Sequence, residues 1–164
     1  MYIGAGNNAA PSLMQAGPRS GMDVVVSCPE TLRPKQSVLD RARADANEAG
    51  TRVAVEVDVK RAVADADVIY TDTWVSMGEE EEAAALRKTL EAYQVTPQLM
   101  EATGKSDSIF LHCLPAHRGE EAVGVPRGPQ RAVVLPAEDL DRGADDHRIV
   151  GVEGAEQRLR AGRG

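Results

Sequence analysis

Three short polar segments, each directly after an apolar run, carry the side chains that could do chemistry. They are residues 4–8 (GAGNN), residues 71–78 (TDTWVSMG) and residues 112–121 (HCLPAHRGEE). In the second segment, the Asp72 carboxylate and the Ser76 hydroxyl four residues later form an acceptor pair that suits an ammonium group. The alternatives are that Asp72 caps the next helix, from which it lies too far, and that Trp74 only fills core. We favour a functional interpretation of this loop.

The third segment places a cysteine among histidines. Cys113 could be a nucleophile, a thiolate ligand, a polar contact or a small buried hydrophobic residue. His112, Cys113 and His117 supply at most three nitrogen or sulfur ligands, and two of these residues are adjacent in the chain. Because this spacing is not that of a zinc site, we predict no metal here.

The first segment resembles a dinucleotide-binding loop only in part. Ala9 stands where the third glycine of that fingerprint would be. The next apolar run ends in Ser27 and Cys28, where a ribose-binding acidic residue is expected. The pattern therefore disfavours a nucleotide, and a nicotinamide-binding domain remains a remote alternative. The side chains of Asn7 and Asn8 could bind a polar ligand, but taken alone they are better explained as caps of the helix that follows.

The elements that must position these segments alternate between strand-like and helix-like patterns. Short runs rich in β-branched residues predict buried strands at residues 2–3, 23–27, 51–57, 68–70, 108–111 and 132–135. Two stretches dense in helix formers predict helices at 35–49 and 79–93, with four glutamates in the first turn of the second. This alternation predicts an α/β fold with a parallel sheet, which binds ligands beyond the carboxyl ends of its strands.

Composition narrows the function classes further. The chain has 164 residues and a formal net charge of -7, without a basic stripe, which argues against nucleic acid and anionic membranes as partners. No apolar stretch is long enough to span a bilayer, and the N-terminus does not resemble a signal peptide. Two cysteines are too few for a disulfide scaffold, so we expect a reducing cytoplasm. The Gly- and Arg-rich residues 143–164 predict a poorly ordered tail after a domain at 1–142.

Taken in order, GAGNN, TDTWVSMGEE and FLHCLPAHRGEE closely resemble the second domain of the ornithine carbamoyltransferase family. The resemblance runs from about Tyr2 to Glu121, with a weaker trace at residues 128–130. It implies a three-layer, Rossmann-like domain that binds L-ornithine, in an enzyme of arginine biosynthesis or the urea cycle. It further implies direct attack of the δ-amine on carbamoyl phosphate, which gives citrulline and phosphate without a metal or cofactor.

The resemblance also implies roles for individual residues. Asn8 matches the asparagine that contacts the α-carboxylate of ornithine, and Asp72 matches the carboxylate that pairs with its α-ammonium. Ser76 and Met77 match the remaining ornithine contacts. Cys113 matches the cysteine beside the reacting centre, which touches the δ-amine and is not expected to be a covalent nucleophile.

Fewer residues match the carbamoyl phosphate site. Cys113 and Leu114 match positions that help to hold the carbamoyl group, and Arg142 lies at least one residue away from the position of the family's phosphate-binding arginine. Ala5 replaces the family's common aspartate, which predicts a looser loop around Asn8. The Ser-Thr-x-Arg-Thr phosphate loop of the family's first domain does not occur in these 164 residues.

These observations leave three interpretations open. The first is a half of an ornithine carbamoyltransferase that is inactive alone and needs an N-terminal domain to bind carbamoyl phosphate. The second is a non-catalytic amino-acid-binding module or a subunit of a split transcarbamylase. The third is a related transcarbamylase that uses another amine, such as putrescine or acetylated ornithine. The family forms homotrimers mainly through its first domain, so the resemblance does not predict a trimer for this chain.

Overall fold

The computed structural model describes residues 1–75, 81–113, 116–117 and 119–124, together with the backbone of 132–135. Ser76, Met77, Leu114 and Arg142 lie outside the described residues, and so do the predicted domain boundary at 142 and the predicted tail. Within the described part, no helix is long and apolar enough to cross a membrane.

Six parallel strands form a single sheet in the order β3-β2-β1-β4-β5-β6. They are β1 (Tyr2–Ile3), β2 (Val24–Ser27), β3 (Val53–Glu56), β4 (Val68–Thr71), β5 (Ile109–Cys113) and β6 (Ala132–Leu135). All six predicted strands are present, although β5 runs two residues further than expected and so includes Cys113. Strand order reverses at β1, so the crevice between the carboxyl ends of β1 and β4 is where such a sheet binds ligands.

Five helices connect the strands, with single 3₁₀ turns at Glu30–Leu32 and Glu91–Tyr93. The helices are α1 (Ala9–Arg19), α2 (Gln36–Ala49), α3 (Val59–Val63), α4 (Ala83–Leu90) and α5 (Pro97–Glu101). The predicted glutamate-rich first turn of α4 is wrong for Glu81 and Glu82, which lie in a turn before the helix, with Glu82 at its N-cap. The sequence analysis did not predict α3 and α5, because a five-residue helix shows too little periodicity to detect.

The two faces of the sheet pack against different helices. On one face, Tyr2 and Val26 pack with α1 and α2 residues such as Met14 and Leu39. On the other, Ile3, Ile69 and Phe110 pack with residues of α3, α4 and α5. Tyr2 and Ile3 belong to different cores because successive residues of a strand point to opposite faces. The result is the three-layer α/β architecture that the sequence predicts.

Candidate functional site

Asp72 and Cys113 lie in contact at the carboxyl edge of the sheet. Strands β4 and β5 are neighbours, and their register pairs Thr71 with His112, so the next residue of each chain segment falls side by side. The Cys113 thiol donates a hydrogen bond to Asp72 Oδ1, which also accepts the backbone N–H of Thr73 at 2.7 Å. Both side chains are half-buried. The structure thus brings together two residues, 41 positions apart, that the sequence analysis selected independently.

The environment of Cys113 keeps its thiol protonated. Burial raises the pKa of the Cys113 thiol, and the hydrogen bond to Asp72 and the charge of that carboxylate raise it further. A backbone N–H at Thr73 and the side chain of Tyr70 oppose this rise only in part. Since the thiolate is the nucleophile and the metal-binding form of cysteine, the geometry favours the interpretation of Cys113 as a neutral polar contact.

Asn8 is the last residue of the first glycine-rich segment and occupies the N-cap position of α1. Its backbone has φ 49° and ψ -107°, and its side chain makes no capping hydrogen bond. The expectation that Asn8 caps the helix is therefore wrong. A positive φ with this ψ is the first central position of a type II′ turn, which favours glycine, and a non-glycine residue there costs about 1–3 kcal/mol. The exposed Asn8 side chain is thus presented at the same sheet edge as Asp72 by a strained backbone.

The loop that presents Asn8 is anchored through Gly6. The Gly6 N–H donates to the Leu32 carbonyl at 2.7 Å, in the connection between β2 and α2. A Cβ at Gly6 would lie 2.4 Å from both Cδ and the backbone nitrogen of Pro34. The space beside Gly6 is therefore filled by protein, which explains this glycine by packing rather than by the approach of a nucleotide. Ala5 is also buried in this loop; the predicted loosening at this position remains a prediction.

A second cluster lies on the opposite face of the sheet and centres on Glu121, which is fully buried. Glu121 Oε1 accepts the backbone N–H of Trp74 at 3.3 Å and lies 3.1 Å from His117 Nδ1. Glu121 Oε2 accepts the backbone N–H of His117 at 2.9 Å and lies 3.7 Å from His112 Nε2. His112 Nδ1 contacts the carbonyl oxygen of Cys113. One carboxylate therefore joins the loop after β4 to the loop after β5.

Glu121 and His112 stabilise each other's charged forms. Burial acts to raise the pKa of Glu121, but His112, the backbone and His117 outweigh it and lower that pKa to about 2. Burial acts to lower the pKa of His112, but Glu121 and the carbonyl of Cys113 outweigh it and raise that pKa. The sequence analysis quoted Glu121 within its motif and assigned it no role. The only sign of this role in the sequence is that Glu121 lies four positions after His117. This spacing does not reveal that the Glu121 side chain is buried.

The structure also decides which residues could share a metal ion. His112 packs edge-on against Phe110, with ring centroids 6.2 Å apart, while Cys113 contacts Asp72 on the other face. One ion could not be held by both side chains, because successive residues of a strand point to opposite faces. In the described residues, His117, Glu120 and Glu121 each bring a ligand atom within 4.8 Å of the others. Both oxygens of Glu121 already accept N–H groups, so this cluster is explained as a structural network.

Trp74 is part of this structural network rather than of the ligand site. Trp74 is 6% exposed and packs in the core formed with α4 and α5. For this side chain the core-filling alternative is correct. Asp72, by contrast, does not cap α4, whose N-cap is Glu82. Of the predicted site residues, Asn8, Asp72 and Cys113 are described and lie at one sheet edge, whereas Ser76, Met77, Leu114 and Arg142 lie outside the described residues.

Comparisons with known proteins identify the family of the chain. Residues 1–139 match the family model described as "Aspartate/ornithine carbamoyltransferase, Asp/Orn binding domain". An ornithine carbamoyltransferase of Caldicellulosiruptor saccharolyticus is 47% identical over 139 residues, which are 84% of this chain and 45% of that protein. One from Symbiobacterium thermophilum is 48% identical over 139 residues, 84% of this chain and 44% of that protein.

A solved structure shows that the similarity to ornithine carbamoyltransferases extends to the fold. The ornithine carbamoyltransferase of Pyrococcus furiosus superposes on this chain with a TM-score of 0.74 at 48% sequence identity. The superposition covers 81% of this chain and 42% of the Pyrococcus chain. The chain thus spans less than half the length of the relatives that it matches. Residues 1–139, which the family model matches, contain all six strands of the described sheet. The chain belongs to the aspartate/ornithine carbamoyltransferase family and carries its Asp/Orn-binding domain.

Proposed function

We propose that this chain is the ornithine-binding half of an ornithine carbamoyltransferase. L-Ornithine would bind at the carboxyl edge of β1, β4 and β5, where Asn8, Asp72 and Cys113 lie. The contact between the Cys113 thiol and the Asp72 carboxylate carries the proposal, because it places a charged and a neutral polar group side by side. The identity of 47–48% to proteins named ornithine carbamoyltransferase supports this choice of substrate.

The α-ammonium and the α-carboxylate of the substrate would each be held by a complementary group of the protein. Asp72 would pair with the α-ammonium, and the Asn8 amide would donate to the α-carboxylate. Satisfying both ends is required because a zwitterion loses its water on entering a crevice, and an uncompensated charge there is costly. We assign the remaining contacts at this end to Ser76 and Met77, which lie four and five residues after Asp72 along the chain.

The δ-end would lie against Cys113. A protonated thiol adds no charge beside the δ-nitrogen, which must itself be neutral to attack. The nitrogen lone pair forms a bond to the carbonyl carbon of carbamoyl phosphate, the bond to the phosphate oxygen breaks, and the nitrogen loses a proton. The products are citrulline and phosphate. Cys113 and Leu114 would contact the carbamoyl group, with Arg142 as the candidate partner of the phosphate. The role of Cys113 requires a reduced thiol, which fits a cytoplasmic location.

Carbamoyl phosphate would need a further domain. The Ser-Thr-x-Arg-Thr loop that the family uses for this substrate is not among these 164 residues. Positioning two reactants is worth roughly 7–11 kcal/mol when the geometry is right, and cationic groups on the leaving phosphate add to this. We therefore propose that the 164-residue chain makes no citrulline by itself. Citrulline formation from ornithine and carbamoyl phosphate by the purified chain would contradict this.

Calorimetric titration tests the ornithine site directly. We expect ornithine to bind, and Asp72→Asn to weaken binding at least about ten-fold because a charge-assisted contact is lost. Asp40→Asn, on an exposed aspartate of α2, is the matched control and should leave the affinity unchanged. Titrations with putrescine and N-acetylornithine separate the alternative amines. Equal affinity in Asp72→Asn, or tighter binding of another amine, would overturn the assignment.

A further inference from the structure

We propose that Thr71 is a positioning residue for the ornithine site: its hydroxyl occupies the Ile3 carbonyl and thereby leaves the backbone N–H of Asp72 available to the α-carboxylate of the ligand. Thr71 is the last residue of β4, and neither the resemblance nor the comparisons assign it a role. The part of the proposal that concerns the ligand rests on the proposed function. The hydrogen-bond arrangement itself can be tested without any ligand.

A side chain, and not the backbone, makes the last hydrogen bond between β1 and β4. The Tyr70 N–H donates to the Met1 carbonyl at 2.9 Å, as in a regular parallel ladder. Every second residue of a strand faces the same neighbour, so the next backbone donor toward β1 is the Asp72 N–H, and its expected acceptor is the Ile3 carbonyl. The Thr71 hydroxyl donates to this carbonyl instead, at 2.8 Å and in a buried position. In the described part of the chain, the Asp72 N–H donates to no backbone carbonyl.

The chain segments that follow β1 and β4 are attached to different neighbours. The Gly4 N–H donates to the Ser27 carbonyl at 3.0 Å, so the segment after Ile3 stays paired with β2. Asp72 Oδ1 accepts from the Cys113 thiol, so the segment after Thr71 is held to β5. The crevice between the carboxyl ends of β1 and β4 therefore opens where the Asp72 N–H faces β1. This is the position at which a sheet of this strand order binds ligands.

The two polar groups of Asp72 complement the two charged groups of an α-amino acid. The ligand carries its ammonium and its carboxylate on one carbon, and Asp72 carries its N–H and its carboxylate two carbons apart. The side chain can therefore accept from the ammonium while the backbone donates to the carboxylate. A donor is required there because a carboxylate that loses its water is costly when uncompensated. The Thr71 hydroxyl keeps this donor available, since the fully buried Ile3 would otherwise need the Asp72 N–H for its carbonyl.

Hydrogen exchange of the Asp72 amide, measured by NMR on the full chain without ligand, tests the arrangement. In the wild type, we expect this amide to exchange at the rate of an unprotected amide. Thr71→Val removes the hydroxyl donor, so the Ile3 carbonyl should take the Asp72 N–H and slow its exchange at least about ten-fold. Thr71→Ser keeps the hydroxyl and should exchange like the wild type. Thr89→Val is the matched control: it removes a 2.8 Å hydroxyl-to-carbonyl bond within α4 and should leave the Asp72 rate unchanged.

Titration with ornithine tests the role in binding. Ornithine should slow exchange of the Asp72 amide in the wild type, and Thr71→Val should bind it about ten-fold more weakly, whereas Thr71→Ser should not. Slow exchange of this amide in the ligand-free wild type would overturn the proposal, whether or not any variant folds. Bound ornithine that leaves the amide unchanged, or equal affinities in the wild type and Thr71→Val, would also overturn it. If ornithine does not bind the wild type, the proposed function fails together with the ligand role of Thr71, and the ligand-free rates still decide the hydrogen-bond arrangement.

Discussion

Glu121 Oε1 accepts the backbone N–H of Trp74, so a carboxylate buried on one face of the sheet fixes the loop that presents Asp72 at its edge. Trp74 is only two residues beyond Asp72, and its ring is held in the core on the same face as Glu121. The orientation of Asp72 therefore depends on a residue that is 49 positions away in sequence and does not belong to the ligand edge.

Replacing Glu121 with glutamine should destabilise the chain by about 3 kcal/mol, because it removes one partner of a buried charged pair. The amide also directs a donor at N–H groups that need an acceptor. Urea unfolding at pH 7 measures the effect. Glu120→Gln is the matched control: its carboxylate pairs with the half-exposed Arg87 at 2.8 Å, and surface pairs contribute about 1 kcal/mol or less. Equal losses in the two variants would show that Glu121 has no special structural role.

Acid should weaken the same network. The pKa of Glu121 is lowered in the folded chain from its ordinary 4.5 to about 2. A carboxylate with a lowered pKa contributes stability that is complete above pH 4.5 and is lost as the pH falls toward 2. We expect the free energy of unfolding to decrease over this range in the wild-type chain and to decrease less in Glu121→Gln. Identical pH dependences would contradict the assignment.

A rise in pH should weaken the pair from the other side, because His112, the partner of Glu121, loses its proton. The pKa of His112 is raised above its ordinary 6.5 in the folded chain, because Glu121 and the Cys113 carbonyl outweigh the effect of burial. The corresponding stability is complete below pH 6.5 and is lost as the pH rises through the folded value. NMR titration of the His112 ring should give a midpoint above 6.5. Glu121→Gln should lower the His112 midpoint, and an unchanged midpoint would exclude the pairing.

Asn8→Gly should separate backbone strain from ligand contact. Glycine adopts φ 49° and ψ -107° without the strain that asparagine suffers, so thermal stability should rise, by about 1 kcal/mol. Ornithine affinity should nevertheless fall about ten-fold, because the amide donor to the α-carboxylate is lost. Thermal unfolding and calorimetry on the same sample measure both effects. A stabilised variant that binds ornithine as well as the wild type would remove Asn8 from the site.

Gly6→Ala should disrupt the loop that presents Asn8. The added Cβ would lie 2.4 Å from the Pro34 backbone nitrogen, which cannot move away as a flexible side chain could. Gly50→Ala provides the comparison, since its Cβ would meet open space and only its φ of 68° opposes the change. That strain costs roughly 1–2 kcal/mol. Urea unfolding should show a larger loss for Gly6→Ala, and an equal or smaller loss would mean that the loop is not held against Pro34.

The amino-acid sequence alone determined the six strands, the longer helices and the choice of Asp72 and Cys113 as candidate site residues. Buried strands of a parallel sheet are continuous apolar runs, and ligand groups follow them directly, so local pattern was enough to predict six strands and to select Asp72 and Cys113. Boundaries were less well predicted: β5 extends to Cys113, and α4 begins only at Ala83. Neither boundary is encoded by the apolar period, since neighbouring strands and packing fix where each element ends.

Only the tertiary structure decided which side chains act together. It showed that Cys113 donates to Asp72, that Asn8 is strained rather than capping, and that Glu121 is a buried structural acceptor instead of a surface charge. These relationships join residues across strands and loops that are distant in the chain. Burial and contact depend on the whole fold, and the identity and spacing of residues do not report them. The sequence therefore identified the chemical groups, and the sheet register and its two packed faces determined their partners.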